Sequence, residues 1–156
     1  MSSIRKTRKL TYDWEPYFSY DKTDDEVVSF YSADRPESAT NDAGSIFYKK
    51  TLWDIFVYAM AIGKSKELRK PVVKPSRTIP VDAIKEHHIV SMLGVAFSDE
   101  SVGLEILQNP KDLRIICEEY ANGGIDFLIE MKKLRDYDNP LSELEKEFFK
   151  LLENKS

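Results

Sequence analysis

The sequence predicts a mainly α fold: a compact helical domain with at most a small β element, an α+β arrangement staying open. Three observations point there. Apolar residues recur at three- and four-residue steps in several segments of helical length. Helix-start signals precede those segments, at Thr51 with Asp54, at Asn109-Pro110 and at Asn139-Pro140. Strand-like composition is confined to the N-terminal region and to short pieces near residues 72–81.

Residues 1–45 form an aromatic-rich N-terminal extension expected to pack on a helical core domain of residues 46–156. The extension holds Tyr12, Trp14, Tyr17, Phe18, Tyr20, Phe30 and Tyr31 among polar residues and turn formers. Val27 to Tyr31 reads as a short strand or as the end of a helix begun near Asp24. Ser32 to Gly44 reads as a loop, rich in Pro, Gly, Ser, Thr, Asn and Asp. The interleaved acids Asp13, Glu15, Asp21, Asp24 and Asp25 would repel a phosphate backbone. The rings are therefore expected to cover the core or an oligomer interface rather than stack on bases.

The first strong helix starts at Thr51, whose capping-box partner is Asp54. Leu52, Ile55, Phe56, Ala59 and Ile62 make its buried stripe, and Gly63 stands where a C-cap glycine is expected. A basic connector, residues 64–80, follows. Its prolines at 71, 75 and 80 exclude a regular helix, leaving Val72-Val73 and Thr78-Ile79 as candidate edge strands. A second helix is expected from about Ala83 to Phe97, with Ile84, His88, Met92 and Val95 on one side. Ser98 and Asp99 offer a cap for a short helix ending near Leu107. A third main helix begins at Asn109-Pro110 and turns Leu113, Ile116, Cys117 and Tyr120 inward. Asn122-Gly123-Gly124 is expected to end or bend it, as a cap and tight turn that could present Tyr120, Asn122 and Gly123 to a partner. Ile125, Leu128 and Ile129 continue an apolar face. The last helix, from Asn139-Pro140, carries Leu141, Leu144, Phe148, Leu151 and Leu152.

Composition bounds the function. A chain of 156 residues fits one ordinary domain and buries roughly two-thirds of its unfolded surface. The longest apolar run, residues 55–62, falls far short of the ~20 residues that span a bilayer. The N-terminus is basic but leads into polar and aromatic residues, so no secretory signal is expected. The single cysteine, Cys117, forbids an internal disulfide and fits a cytoplasmic protein. The net charge of -4 argues against a uniformly basic nucleic-acid face. Charge is nevertheless concentrated: Lys64, Lys66, Arg69, Lys70, Lys74 and Arg77 crowd the connector, and such a patch can meet phosphates locally.

Catalytic motifs are missing. Glu130-Met131-Lys132 has nuclease-like spacing but lies in an expected helix rather than on a strand. The glycines form no phosphate loop, and zinc-binding cysteines are excluded by count. Cys117 lies on an apolar stripe and reads as core. His87 and His88 are the only histidines. Adjacent helical residues point about 100° apart, so the pair is not expected to chelate one ion. Glu86 and His87 are the exposed candidates for a catalytic carboxylate-imidazole site, which would need Mg or Mn to cleave a phosphodiester.

Three segments carry a resemblance. They are Phe47-Tyr48-Lys49-Lys50-Thr51-Leu52-Trp53-Asp54-Ile55-Phe56, leading through Ala59-Met60-Ala61-Ile62-Gly63 to Arg69-Lys70-Pro71; then Met92-Leu93-Gly94-Val95-Ala96; then Glu118-Glu119-Tyr120-Ala121-Asn122-Gly123-Gly124-Ile125. This order resembles the small accessory proteins found beside DNA phosphorothioation (Dnd) systems, the dnd system-associated protein 4 family, over roughly residues 46–135. The resemblance implies DNA modification, defence or mobile-element biology in a prokaryote, archaeon or virus. It supplies no catalytic residue. The expected function is a non-catalytic accessory or interaction module without a cofactor, binding DNA or a DNA-processing protein through the connector. A metal-dependent nuclease is the alternative, and an oligomerising structural protein the second. No membrane partner is expected, and a homo-oligomer stays open.

Overall fold

The computed structural model describes residues 14–136, 148 and 150–152. Among them the protein is mainly α-helical, with one small antiparallel β element. Strand β1 (Tyr17–Phe18) is followed by helices α1 (Asp25–Tyr31) and α2 (Leu52–Ser65). Then come strand β2 (Ile79–Pro80), a 3₁₀ turn (Val81–Ala83), α3 (Glu86–Phe97), a second 3₁₀ turn (Leu104–Gln108) and α4 (Pro110–Asp136). The expected helical class is borne out.

Local chemistry explains the starts. Asp24 caps α1 by accepting from the Glu26 amide, which decides between the strand and helix readings of residues 27–31. Thr51 and Asp54 form the expected reciprocal capping box on α2. Asn109 accepts from the Asp112 amide, and Pro110 occupies the first position of α4, where its missing N–H costs nothing. Two boundaries move. The second helix begins at Glu86, because residues 81–83 close a separate 3₁₀ turn. The short helix expected after Ser98 is a 3₁₀ turn beginning only at Leu104; Asp99 instead holds a turn by accepting from the Ser101 amide.

The glycines correct the sequence reading most. Gly63 is not a C-cap: α2 runs on to Ser65 and is capped at Lys66. Asn122-Gly123-Gly124 is neither an end nor a turn, because α4 continues through it to Asp136. The reason is the packing of α2 on α4, the most extensive helix contact among the described residues. A Cβ on Gly63 would lie 1.9 Å from the Tyr120 carbonyl oxygen, and one on Gly124 would lie 1.8 Å from that of Ala59. Bare backbone on both helices permits this approach, and its packing outweighs the intrinsic helix penalty of glycine.

The core is continuous from the N-terminal stretch to α4. Phe18, Tyr20, Phe30 and Tyr31 are buried in it with Trp53, Phe56, Met92, Leu113, Cys117 and Ile125. Phe18 meets Trp14, Trp53 and Phe56 edge-on, so these rings are spent inside the chain. Of the two edge-strand candidates, Thr78-Ile79 overlaps β2, which pairs Phe18 with Ile79 and Tyr17 with Pro80; Val72-Val73 forms no strand. The helix expected from Asn139-Pro140 starts outside the described residues. Its Phe148, Leu151 and Leu152 are helical and exposed. No helix among the described residues is long and apolar enough to cross a membrane.

Candidate functional site

The basic connector leaves α2 at Lys66 and crosses α4 as an extended strap before joining β2. Its backbone is held along nearly its whole length. The Leu68 amide returns to the Gly63 carbonyl at 2.8 Å, and the Lys70 amide donates to the Glu119 carbonyl at 3.1 Å. The Asn122 side-chain amide donates to the carbonyls of Lys70 (3.2 Å) and Pro71 (3.1 Å). Asp21 then takes over, accepting from the Val73 amide at 2.8 Å and the Lys74 amide at 3.3 Å. Burial pushes the Asp21 carboxyl up, but the bonds from Thr23, Val73 and Lys74 together hold it below its usual range. Ser76, Arg77 and Thr78 donate to Tyr20, Ser19 and Phe18. Glu67 (φ 54°) and Arg77 (φ 52°) sit in the left-handed region, a conformation uncommon for non-glycine residues.

The six connector cations divide into two groups. Arg69 reaches Asp99 (3.5 Å) and Glu119 (3.2 Å), Lys70 reaches Asp126 (3.5 Å), and Arg77 reaches Glu15 (3.8 Å). Lys64 and Lys66 lie over the rings of Tyr120 and Phe127, and neither they nor Lys74 has a carboxylate partner among the described residues. Lys66, Lys70, Lys74 and Arg77 are exposed.

Tyr120, Asn122 and Gly123 are buried and are not presented on a turn. Tyr120 donates to Asp99 at 2.5 Å. Hydrogen bonds from Ser101 and Tyr120 hold the Asp99 carboxyl at about 2, while burial and the bond to Asp99 push the Tyr120 hydroxyl up to about 12. Asn122 spends its donors on the strap. Gly123 faces it: a Cβ there would lie 1.8 Å from the Leu68 carbonyl oxygen. Beside this network, a cleft of about 350 Å³ is bordered by Arg69, Ser101, Ile106 and Asp112. Its lining residues include no histidine or cysteine, and the Ser101 hydroxyl donates to Asp99, a carboxylate held far below its usual range and so a weak base.

The histidine pair behaves differently from expectation. The rings of His87 and His88 approach to 4.1 Å, and their nitrogens gather with a carboxylate oxygen of Asp54 within 4.8 Å. Glu86, the other candidate, lies outside this group and is exposed with His87. The donor set of two imidazoles and a carboxylate suits a transition metal, but the hydrogen bonding does not. His88 Nδ1 accepts from the Lys85 amide at 3.0 Å, so the neutral ring carries its proton on Nε2, which donates to Asp54 Oδ1 at 3.0 Å. Both ring nitrogens are therefore committed before any ion arrives. Burial, the chief cause, pushes the His88 pKa down despite that bond. Burial also pushes the Asp54 carboxyl up, but the bonds from His88 and Thr51 prevail and hold it at about 2. Sequence reading missed Asp54, Asp21 and Asn122 as partners because each acts across 34 to 53 residues of chain.

No curated protein and no solved structure matches the chain. One family does, and its match includes the strap, the α2–α4 glycines and the Tyr120–Gly124 segment. Residues 37–154 match the family of DNA sulphur modification system-associated protein 4, so the chain belongs to that family.

Proposed function

We propose that the chain is a non-catalytic accessory module of a DNA sulphur modification system that binds duplex DNA through its strap. The carrying observation is the contrast within residues 66–77: a backbone hydrogen-bonded from both sides under exposed lysine and arginine side chains. A surface ordered before binding loses little backbone entropy on contact, so its cations can be used for affinity. Each lysine that neutralises a phosphate releases a counterion, which favours binding most at low salt. Lys64, Lys66 and Lys74, without carboxylate partners among the described residues, supply most of this attraction. Arg69, Lys70 and Arg77 are partly compensated by their acids, and with the net charge of -4 this keeps the affinity modest and confines it to one face.

The reading is tested by titrating a labelled duplex at several salt concentrations. Replacing Lys66, Lys70 and Lys74 together with alanine should weaken binding and lower the slope of log affinity against log salt by about three. Unchanged affinity would remove the strap as a DNA surface. Binding to a DNA-processing protein of the same system, with none to DNA, would assign the strap to an acidic protein face instead.

A further inference from the structure

We infer that Asn122 is a positioning residue for the strap, acting on DNA only through the residues it holds; the inference rests on the reading of the strap as the DNA surface. Asn122 is 6% exposed, and its amide nitrogen bonds the carbonyls of two consecutive strap residues, Lys70 and Pro71. A side-chain amide has two N–H donors, so none is left for a partner. One helical position on, Gly123 lets the Leu68 carbonyl lie where a Cβ would stand. Three positions before Asn122, the Glu119 carbonyl accepts the Lys70 amide. Roughly one turn of α4 thus receives the strap from Leu68 to Pro71, by neutral backbone and amide contacts beside the Arg69–Glu119 ion pair.

This arrangement explains the segment's composition without a direct partner. Asparagine is short enough to stay buried and still bond two carbonyls. Glycine is the residue whose backbone the strap can touch. Lys70 leaves this dock with its side chain exposed, and Asp21 receives the chain again at Val73 and Lys74. Releasing the Asn122 end leaves every strap charge in place but frees the spacing between Lys66, Lys70 and Lys74. The number of phosphates contacted, and hence the salt slope, is then preserved while affinity falls.

The experiment compares the full chain, Asn122→Ala and the triple lysine variant by anisotropy with a labelled mixed-sequence duplex, below the melting temperature of each. The expected result for Asn122→Ala is a loss of about three- to tenfold in affinity with an unaltered salt slope. Faster hydrogen exchange at the Lys70 amide should accompany it. The triple variant should lower the slope. A purely structural Asn122 would lower the melting temperature and leave the folded protein's DNA affinity alone; that result overturns the inference and leaves the strap reading standing. Indifference of DNA binding to the triple variant overturns both. Should Asn122→Ala not fold, Asn122→Ser keeps a donor in a smaller side chain. Wild-type affinity and wild-type Lys70 exchange in that variant overturn the positioning role, and a loss in both supports it.

Discussion

The Nε2 of His88 donates to Oδ1 of Asp54 at 3.0 Å, and this bond joins the capping box of α2 to the start of α3. Asp54 is the third residue of α2, and its Oδ2 accepts the Thr51 amide. His88 is the third residue of α3, and its Nδ1 accepts the Lys85 amide. Each side chain therefore closes its own helix start and fixes the other. Removing His88 leaves the part-buried Lys85 amide and the Asp54 carboxylate short of a partner. His88→Ala is expected to cost about 2–4 kcal/mol in urea unfolding. His88→Asn, which can still accept from Lys85, should cost clearly less. Equal losses would show that the Lys85 bond contributes nothing.

The same pair sets an acid limit. The His88 pKa is lowered by burial, so the unfolded chain takes up a proton that the fold refuses. Stability is full above the ordinary histidine value and falls as pH drops through it. Asp54 and Asp99, held at about 2, add stability present above the ordinary carboxylate range and lost as pH falls towards 2. The urea midpoint of the wild type minus that of His88→Asn should therefore decline as pH drops through the ordinary histidine value. The losses from Asp54 and Asp99 should follow only as pH falls towards 2.

Glu118 has the opposite sign. Its Oε2 accepts the Ser19 amide at 2.5 Å and its Oε1 the Arg114 guanidinium at 2.9 Å, yet burial pushes it up to about 7. The unfolded carboxyl ionises near 4.5, so this group's contribution is full below that pH and is lost as pH rises towards 7. Wild-type stability minus that of Glu118→Gln should decrease with rising pH across this window. A constant difference in urea unfolding would refute the assignment.

Glycine replacements should split by location. Gly94 faces open space, with nothing within 4 Å of an added Cβ. Gly94→Ala should stabilise by about 0.5–1 kcal/mol through helix propensity alone. Gly124→Ala forces a methyl group against the Ala59 carbonyl and should destabilise by roughly 2–4 kcal/mol, measured by thermal unfolding.

The committed ring nitrogens of His88 predict that Mn does not assemble the Asp54–His87–His88 group and does not raise the melting temperature. Metal-dependent cleavage lost on Glu86→Ala or His87→Ala would restore the nuclease alternative.

Much of the fold was legible because helix starts are local. A cap and its partner lie three residues apart and a cap may be followed at once by proline, so Thr51 with Asp54 and Asn109 with Pro110 announce themselves. The apolar stripes were legible for the same reason: periodicity of 3.6 is written along the chain, and Leu113, Ile116, Cys117 and Tyr120 are indeed buried. The connector's cations and their crowding were plain as well.

What the sequence determined by itself was therefore the helical class, the main helix starts, the inward faces and the family. Only the tertiary structure decided what the glycines do, which connector cations meet acids, and where Asn122 and His88 direct their hydrogen bonds. Glycine propensity, read locally, says stop at residues 63, 123 and 124. Close packing of α2, α4 and the strap overrides it, because bare backbone there admits carbonyls that any side chain would exclude. Partners brought together by that packing lie tens of residues apart, and no local spacing encodes them.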